Sequence, residues 1–229
     1  QHTLAGDVDD DAARRAVFSG GLVLRARDRR RLVEGEPHDV DVTATRAGGG
    51  EGDGRAYIRA RDGVLAIGHA ELRDLGYWSG RTGGLAVTGT GDDRASAAIV
   101  STKITGLHYG VFFSDTTEAG IQDTTIEDSR LTGVEVTNGA SDTTIERTTI
   151  SGSGGDGVSV SRQSTGTKIT DTTVDGSAGW GIRVDGSALA DGPTSGGYGL
   201  TPAKGFTLTG SHVRNSREGG VRVISTDAT

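Results

Sequence analysis

One repeat pattern runs five times through this chain of 229 residues. Each copy has an aliphatic residue, a second one five places later, and then a glycine followed by aliphatic-x-aliphatic. The anchors are Ile99, Ile104, Val111, Phe113; Ile121, Ile126, Val134, Val136; Ile145, Ile150, Val158, Val160; Ile169, Val174, Ile182, Val184; and Leu208, Val213, Val221, Val223. Successive copies start 22, 24, 24 and 39 residues apart. Units this short cannot bury an apolar face alone, so they must stack on one another.

The spacing inside each copy indicates strands. Residues 133–137 and 157–161 alternate with period two, as in a strand with one buried face. Between the anchors lie Thr, Ser, Asp and Gly, the residue types of turns. Helical i, i+3, i+4 spacing is not sustained over ten residues anywhere in the repeats. The sequence therefore predicts an all-β fold, a right-handed parallel β-helix (solenoid), in which one copy of the repeat makes one coil of about 22–24 positions with three short strands.

The repeats also predict the domain organisation. Residues 55–229 form one elongated β-helix, and an inserted loop at 186–204 explains the longest step between copies. Residues 1–54 are predicted to hold an N-terminal cap, with a short helix from Asp9 to Phe18, and the first coil or coils, with a strand at Val40 to Val42. The repeat runs to Val223 with no amphipathic helix after it. We therefore expect a partner subunit or further chain to cover the last coil.

Composition excludes several classes of function. The formal net charge of −7 argues against nucleic-acid binding, which requires a basic face. The sequence has no apolar run long enough for a membrane span, and the absence of cysteine excludes disulfides. Gly152 to Gly157 matches the dinucleotide pattern G-x-G-x-x-G but lies between β segments, so it predicts no nucleotide site. No cofactor or metal is predicted; calcium is an alternative that the spacing does not support.

One face of the solenoid carries the candidate binding residues. In each glycine-preceded strand the residue between the aliphatic anchors points away from the core to solvent, as does the residue after the last anchor. Stacking at about 4.8 Å per coil gives two columns of side chains. The first column is Ala86, Phe112, Glu135, Ser159, Arg183 and Arg222, and the second is Thr88, Ser114, Thr137, Ser161, Asp185 and Ile224. The flanking turns add His108, Tyr109, Asp156 and Trp180 before the strands, and Asn138 and Arg162 after them.

These residue types suit an extended acidic polysaccharide. Aromatic rings stack on sugar rings, and arginine pairs with carboxylates through two hydrogen bonds. The segment from Tyr77 to Arg81, with Trp78, forms either a wall of this face or a cover over the N-terminal core. The alternative is that the columns are ordinary solvent-facing strand residues.

The coils built on Asp-Thr-Thr-(Ile/Val) and Gly-(Ile/Val)-x-Val, together with segments 76–85 and 181–187, carry a family resemblance. They resemble the secreted right-handed parallel β-helix proteins of actinobacteria, which are similar to the mannuronan C5-epimerase and polysaccharide-lyase superfamily. The resemblance spans Arg55 to Val223. It implies an extracellular protein, secreted or at the cell surface, that binds or modifies uronate polymers.

The resemblance also implies candidate catalytic residues. The epimerase motif Asp-Pro-His-Asp falls, by repeat register, on Glu135-Val136-Thr137-Asn138, where only the first acid is approximated. Epimerisation at C5 needs a base, an acid and a cation. Those roles could be filled by Glu135, by Tyr109 or His108, and by Arg162 or Arg183. Predicted substrate-binding residues are Phe112, Asp156, Trp180, Arg183, Asp185, Trp78 and Arg81. The alternative function is a non-catalytic structural or adhesin β-helix.

Overall fold

The fold is a stack of coils built from three parallel sheets, here named A, B and C. The computed structural model describes residues 57–77, 79–91, 93–185 and 203–224, and the backbone of four earlier strands. Sheet A contains Ala5–Asp7, Tyr57–Arg61, Gly84–Thr88, Tyr109–Ser114, Val134–Thr137, Val158–Ser161, Trp180–Asp185 and Gly219–Ile224. Sheet B contains Val40–Thr43, Ala70–Arg73, Lys103–Thr105, Thr125–Glu127, Thr149–Ser151, Thr173–Asp175 and His212–Arg214. Sheet C contains Val64–Gly68, Ser96–Val100, Gly120–Gln122, Thr144–Glu146, Lys168–Thr170 and Thr207–Thr209.

The predicted register is confirmed. Each repeat passes through sheets C, B and A in turn, and equivalent anchors stack directly, as Val158 does between Val134 and Ile182. The aliphatic anchors of the middle coils are at most 1% exposed, so they form a continuous apolar column inside the three sheets. The parallel β-helix predicted from the repeat is therefore the fold of the chain.

The corners between sheets explain the polar residues of the repeat. At the corner from C to B, Asp123, Arg147 and Asp171 adopt left-handed backbone with φ of 49°, 45° and 48°. The threonine after each of these residues points inward and is buried. In Thr172, for example, Oγ1 donates to the carbonyl of Thr170 at 2.9 Å and accepts the N–H of Thr148 at 3.3 Å. The threonine column therefore satisfies backbone groups inside each corner.

At Gly133, Gly157 and Gly181, close packing between coils requires the glycine that precedes the first aliphatic anchor of the sheet A strand. A Cβ added to Gly157 would lie 2.3 Å from Cγ1 of Val174 and 2.8 Å from Oγ of Ser177. Gly133 and Gly181 meet equivalent atoms of the next coil. The recurring glycine and the recurring buried serine are thus two parts of one contact.

Two expectations from the sequence differ from the structure. Arg15–Val17 is a strand paired antiparallel with Val23–Arg25, so the predicted helix from Asp9 to Phe18 is wrong there. The insertion ends earlier than the predicted residue 204. Ala203 is 1% exposed and Lys204 bridges to Thr165, so both belong to the coil. Residues 186–202 lie outside the described residues.

The last coil is less covered than the others. Val221 and Val223 are 42% and 43% exposed, whereas their counterparts in the preceding coil are fully buried. The expected partner over this layer stays a prediction. A short 3-10 turn at Gly80–Thr82 completes the described elements, among which no helix is long and apolar enough to cross a membrane.

Candidate functional site

A groove of about 320 Å³ lies on the outer face of sheet A. It is lined by Tyr109, Phe112, Thr132, Glu135, Thr137, Asn138, Ser161, Arg162, Arg183 and Asp185. Two features of the repeat put these residues together. Outward-pointing positions stack in register along the sheet, and the turns at both ends of each strand form the sides of the groove.

Glu135 lies on the groove floor between Phe112 and Ser159 of the adjacent strands. Burial raises the pKa of its carboxyl to about 7, and the charge of Asp156 adds to the rise. A hydrogen bond from Ser159 and the positive charges of Arg183 and Arg162 oppose that shift in pKa. A carboxyl that titrates near neutral pH can both take up and release a proton under ordinary conditions.

Ser159 is itself buried, although the sequence predicts it to face solvent. Its exposed fraction is 1%, so that expectation is wrong. The side chain does point away from the core, but the longer side chains of Glu135 and Arg183 flank it on the neighbouring strands. Ser159 therefore lies at the base of the groove, where the side chains of Glu135 and Arg183 cover it.

Arg183 is held in place by an ion pair. Its Nε lies 2.7 Å from Oδ2 of Asp156, and Oδ1 of the same carboxylate accepts the backbone N–H of Trp180 at 2.8 Å. The side chain of Asp156 is only 10% exposed. Asp156 therefore orients the guanidinium group of Arg183, and Arg183 is one of the residues that line the groove.

The rim on the other side is the corner that follows the sheet A strand. Arg162 and Gln163 at this corner have left-handed backbone with φ of 48° and 65°, as do the corner residues between sheets C and B. Nearby, Asn138 donates from Nδ2 to Oγ of Ser114 at 3.0 Å, while its Oδ1 is buried and has no partner in the described structure.

Aromatic rings occupy the N-terminal end of the groove. The ring of Tyr109 packs edge-on against Phe112, with centroids 5.8 Å apart, and against His108 at 5.5 Å. Burial, and secondarily the charge of Glu135, raises the pKa of Tyr109 above its ordinary value. The phenol therefore keeps its proton at neutral pH and remains a potential proton donor near Glu135.

The predicted site residues divide into those in the groove and those beside it. Six line it: Tyr109, Phe112, Glu135, Arg162, Arg183 and Asp185. Three adjoin it through these residues: His108, Asp156 and Trp180. Arg81 is exposed on the 3-10 turn outside the lining, and Trp78 lies outside the described residues.

Sequence reasoning missed Thr132. It precedes Gly133 as Tyr109 precedes Gly110, and Asp156 and Trp180 occupy the same place in later coils. Repeat register could therefore have identified it. Within residues 57–224, apart from the undescribed gaps, no three His, Asp or Glu side chains are grouped as metal ligands.

Comparison with known proteins agrees with this architecture. Residues 83–229 match the family described as "Right handed beta helix region". The periplasmic alginate epimerase AlgG is structurally similar, with a TM-score of 0.53 and 11% identity over 83% of this chain and 67% of that chain. The D317A mutant of AlgG has a TM-score of 0.52 and 12% identity over the same shares of the two chains. Pectate lyase Pel9A has a TM-score of 0.45 and 14% identity over 83% of this chain and 52% of that chain.

At these identities the structural likeness shows the fold alone. A search of curated proteins found no match. The family match, in contrast, covers well over half of the sequence and falls on the coils that build the groove. The chain belongs to the right-handed β-helix family.

Proposed function

We propose that this chain is an extracellular protein that binds a uronate polymer in the sheet A groove and moves a proton at C5 of a bound sugar. The observation that carries the proposal is Glu135, a groove-floor carboxyl with a pKa of about 7 near the charges of Arg183 and Arg162. The fold is shared with AlgG, which is described as an alginate epimerase, and this supports the same class of substrate.

The residues supply each requirement of C5 chemistry. The C5–H bond lies next to the sugar carboxylate, so loss of the proton leaves an electron pair that spreads into that carboxylate. Ionised Glu135 accepts the proton, and the nearby guanidinium groups offset the added negative charge. The electron pair then takes a proton from Tyr109 on the opposite face, which inverts C5. Alternatively, the electron pair forms a C4–C5 double bond and expels the oxygen at C4, which takes the proton of Tyr109. This breaks the chain and leaves an unsaturated sugar.

A binding-only function is the second candidate, and one contact favours it. The position where the epimerase motif has histidine is Thr137, whose hydroxyl lies 3.0 Å from Oγ of Ser161. A threonine held in this way cannot act as a second base. Under this alternative the groove retains its polysaccharide without changing it.

The test is to incubate the full chain with polymannuronate, polyguluronate and polygalacturonate. Proton NMR would detect inversion at C5, and absorbance would detect unsaturated ends. Glu135→Gln should abolish either reaction while retaining binding, whereas Glu146→Gln on sheet C should leave both unchanged. Binding without reaction in the unmodified protein would establish the second candidate. No binding to any of the three polymers would refute the proposal.

A further inference from the structure

The groove is closed at its N-terminal end. The 3-10 turn Gly80–Thr82 lies directly on the aromatic rings. A Cβ added to Gly80 would lie 2.1 Å from Cε2 of Phe112, and one added to Gly83 would lie 2.5 Å from Cδ2 of Tyr109. We call residues 79–83 the end wall.

The end wall is braced by its own hydrogen bonds. The N–H of Tyr77 donates to the carbonyl of Thr82 at 2.9 Å, and Oγ1 of Thr82 donates back to the carbonyl of Tyr77 at 2.8 Å. The hydroxyls of Ser79 and Thr82 lie 3.0 Å apart. Leu75, which leads into this segment, is fully buried and anchors it to the core. The wall is thus a fixed part of the fold.

Behind the wall, the outward-facing positions of sheet A are covered. Ala86 and Thr88 continue the two columns that line the groove, yet they are 0% and 2% exposed. Arg59 from the preceding strand reaches over this coil and donates from Nε to Oγ1 of Thr88 at 3.1 Å. A sugar chain running along the columns therefore meets filled space after Phe112.

In the other direction the columns stay accessible in the described structure. Arg183 and Asp185 line the groove, and Arg222 continues the first column as an exposed residue. The guanidinium of Arg222 lies 5.5 Å from the ring centroid of Trp180. From Phe112 to Arg222 there are four inter-strand steps, or about 19 Å, a length that several sugar units would span.

From this one-sided shape we infer that the groove holds the end of an acidic polysaccharide chain, with the terminal sugar against Phe112 and Tyr109 and the rest leaving past Arg183. The inference rests on the proposed function and adds that internal stretches of a polymer are not bound. Anionic sugars beyond the first unit then lie by Arg183 and Arg222, whereas the terminal unit contacts mainly aromatic surface.

Binding stoichiometry tests this without requiring turnover. The Glu135→Gln chain is titrated calorimetrically with two fractions of the preferred uronate polymer that differ about tenfold in length. End binding predicts that the number of protein molecules per polymer chain does not increase with length, so capacity per gram falls about tenfold. Capacity per gram that is equal for both fractions would overturn the inference while supporting the proposed function. An absence of binding to both fractions would refute the proposed function.

A wall variant provides a second measurement. Gly80→Ala forces the end wall and the ring of Phe112 apart, so it should weaken the binding of a short uronate oligomer several-fold. Gly68→Ala is the matched control, because a Cβ there meets only a carbonyl oxygen at 3.7 Å on sheet C. Equal affinities of the two variants would mean that the bound chain does not reach the wall, which would also overturn the inference.

Discussion

Glu135 shows how a functional residue lowers the stability of its own fold. Its carboxyl sits among protein groups on the floor of the groove, and burial raises its pKa from 4.5 to about 7. In the unfolded chain the proton leaves near pH 4.5, but in the folded chain it stays until about pH 7. The folded state therefore binds more protons between these values. Its stability falls as pH rises through this window and then levels off.

The first prediction follows from this fall in stability as the pH rises. Glu135→Gln should leave the free energy of unfolding unchanged below about pH 4.5 and raise it by about 1 to 3 kcal/mol above pH 7. The lower end of that range allows for solvent screening, because Glu135 is partly exposed. Chemical denaturation at pH 4 and pH 8 measures the difference. Glu146→Gln is the control, since that side chain is 42% exposed on sheet C. Equal stabilisation by Glu135→Gln at both pH values would contradict the raised pKa.

A second prediction concerns Ser159, whose hydrogen bond lowers the pKa of Glu135. Removing the hydroxyl by Ser159→Ala should move that pKa higher, so the acidic limb of any pH–activity profile should shift to higher pH. A role limited to packing would change the rate without moving the limb. Thr170→Ala, on sheet C, serves as the control. A pH–activity profile that stays in place in Ser159→Ala would contradict an effect of this hydroxyl on the pKa of Glu135.

At the scale of the element, the strand and its preceding glycine form the repeating unit. Gly133, Gly157 and Gly181 each face a buried or partly buried serine and an aliphatic side chain of the next coil. Gly220 holds the same place in the last coil, but a Cβ there meets only Cγ1 of Val213 at 4.0 Å. The same substitution should therefore have different costs at equivalent positions.

The third prediction compares these positions directly. Gly157→Ala inserts a methyl group where Val174, Ser177 and the carbonyl of Gly181 already lie, so it should destabilise the fold by about 2 kcal/mol or more. Gly220→Ala should change stability by less than about 0.5 kcal/mol. Urea denaturation of the two variants provides the comparison. Similar losses in both variants would contradict close packing between coils as the reason for a glycine at this position.

The repeating unit also explains which features of the fold could be predicted from the sequence. Aliphatic anchors repeat at fixed spacing, and a one-residue slip would expose every one of them, so the register could be read from the sequence. The burial of Ser159 could not, because it depends on how far the side chains of Glu135 and Arg183 reach from adjacent strands. The end wall is also non-repetitive. Its position against Phe112 depends on long-range packing that no periodic pattern encodes.

At the scale of the whole molecule, the solenoid keeps its register across the insertion at residues 186–202. The N–H of Thr148 bonds to Thr172, 24 residues later, and the N–H of Thr172 makes the same bond to Ser211, 39 residues later. The longer step contains the insertion. The coil resumes at Ala203, and Phe206 is 3% exposed within the core cluster. Because each coil contacts mainly its neighbours, the contacts that hold the fold lie on either side of the insertion.

The last prediction is that 15 residues can be deleted from this coil without loss of the fold only if the deletion lies within the insertion. Deleting residues 187–201 makes this coil as long as the one before it, so the melting temperature should change by only a few degrees. Deleting residues 192–206 shortens the chain equally but takes away Ala203, Lys204 and Phe206, together with the bridge from Lys204 to Thr165. That variant should lose cooperative melting in circular dichroism, because the last coil loses its core contacts. Similar melting of the two variants would show that Ala203 and Phe206 do not belong to the core.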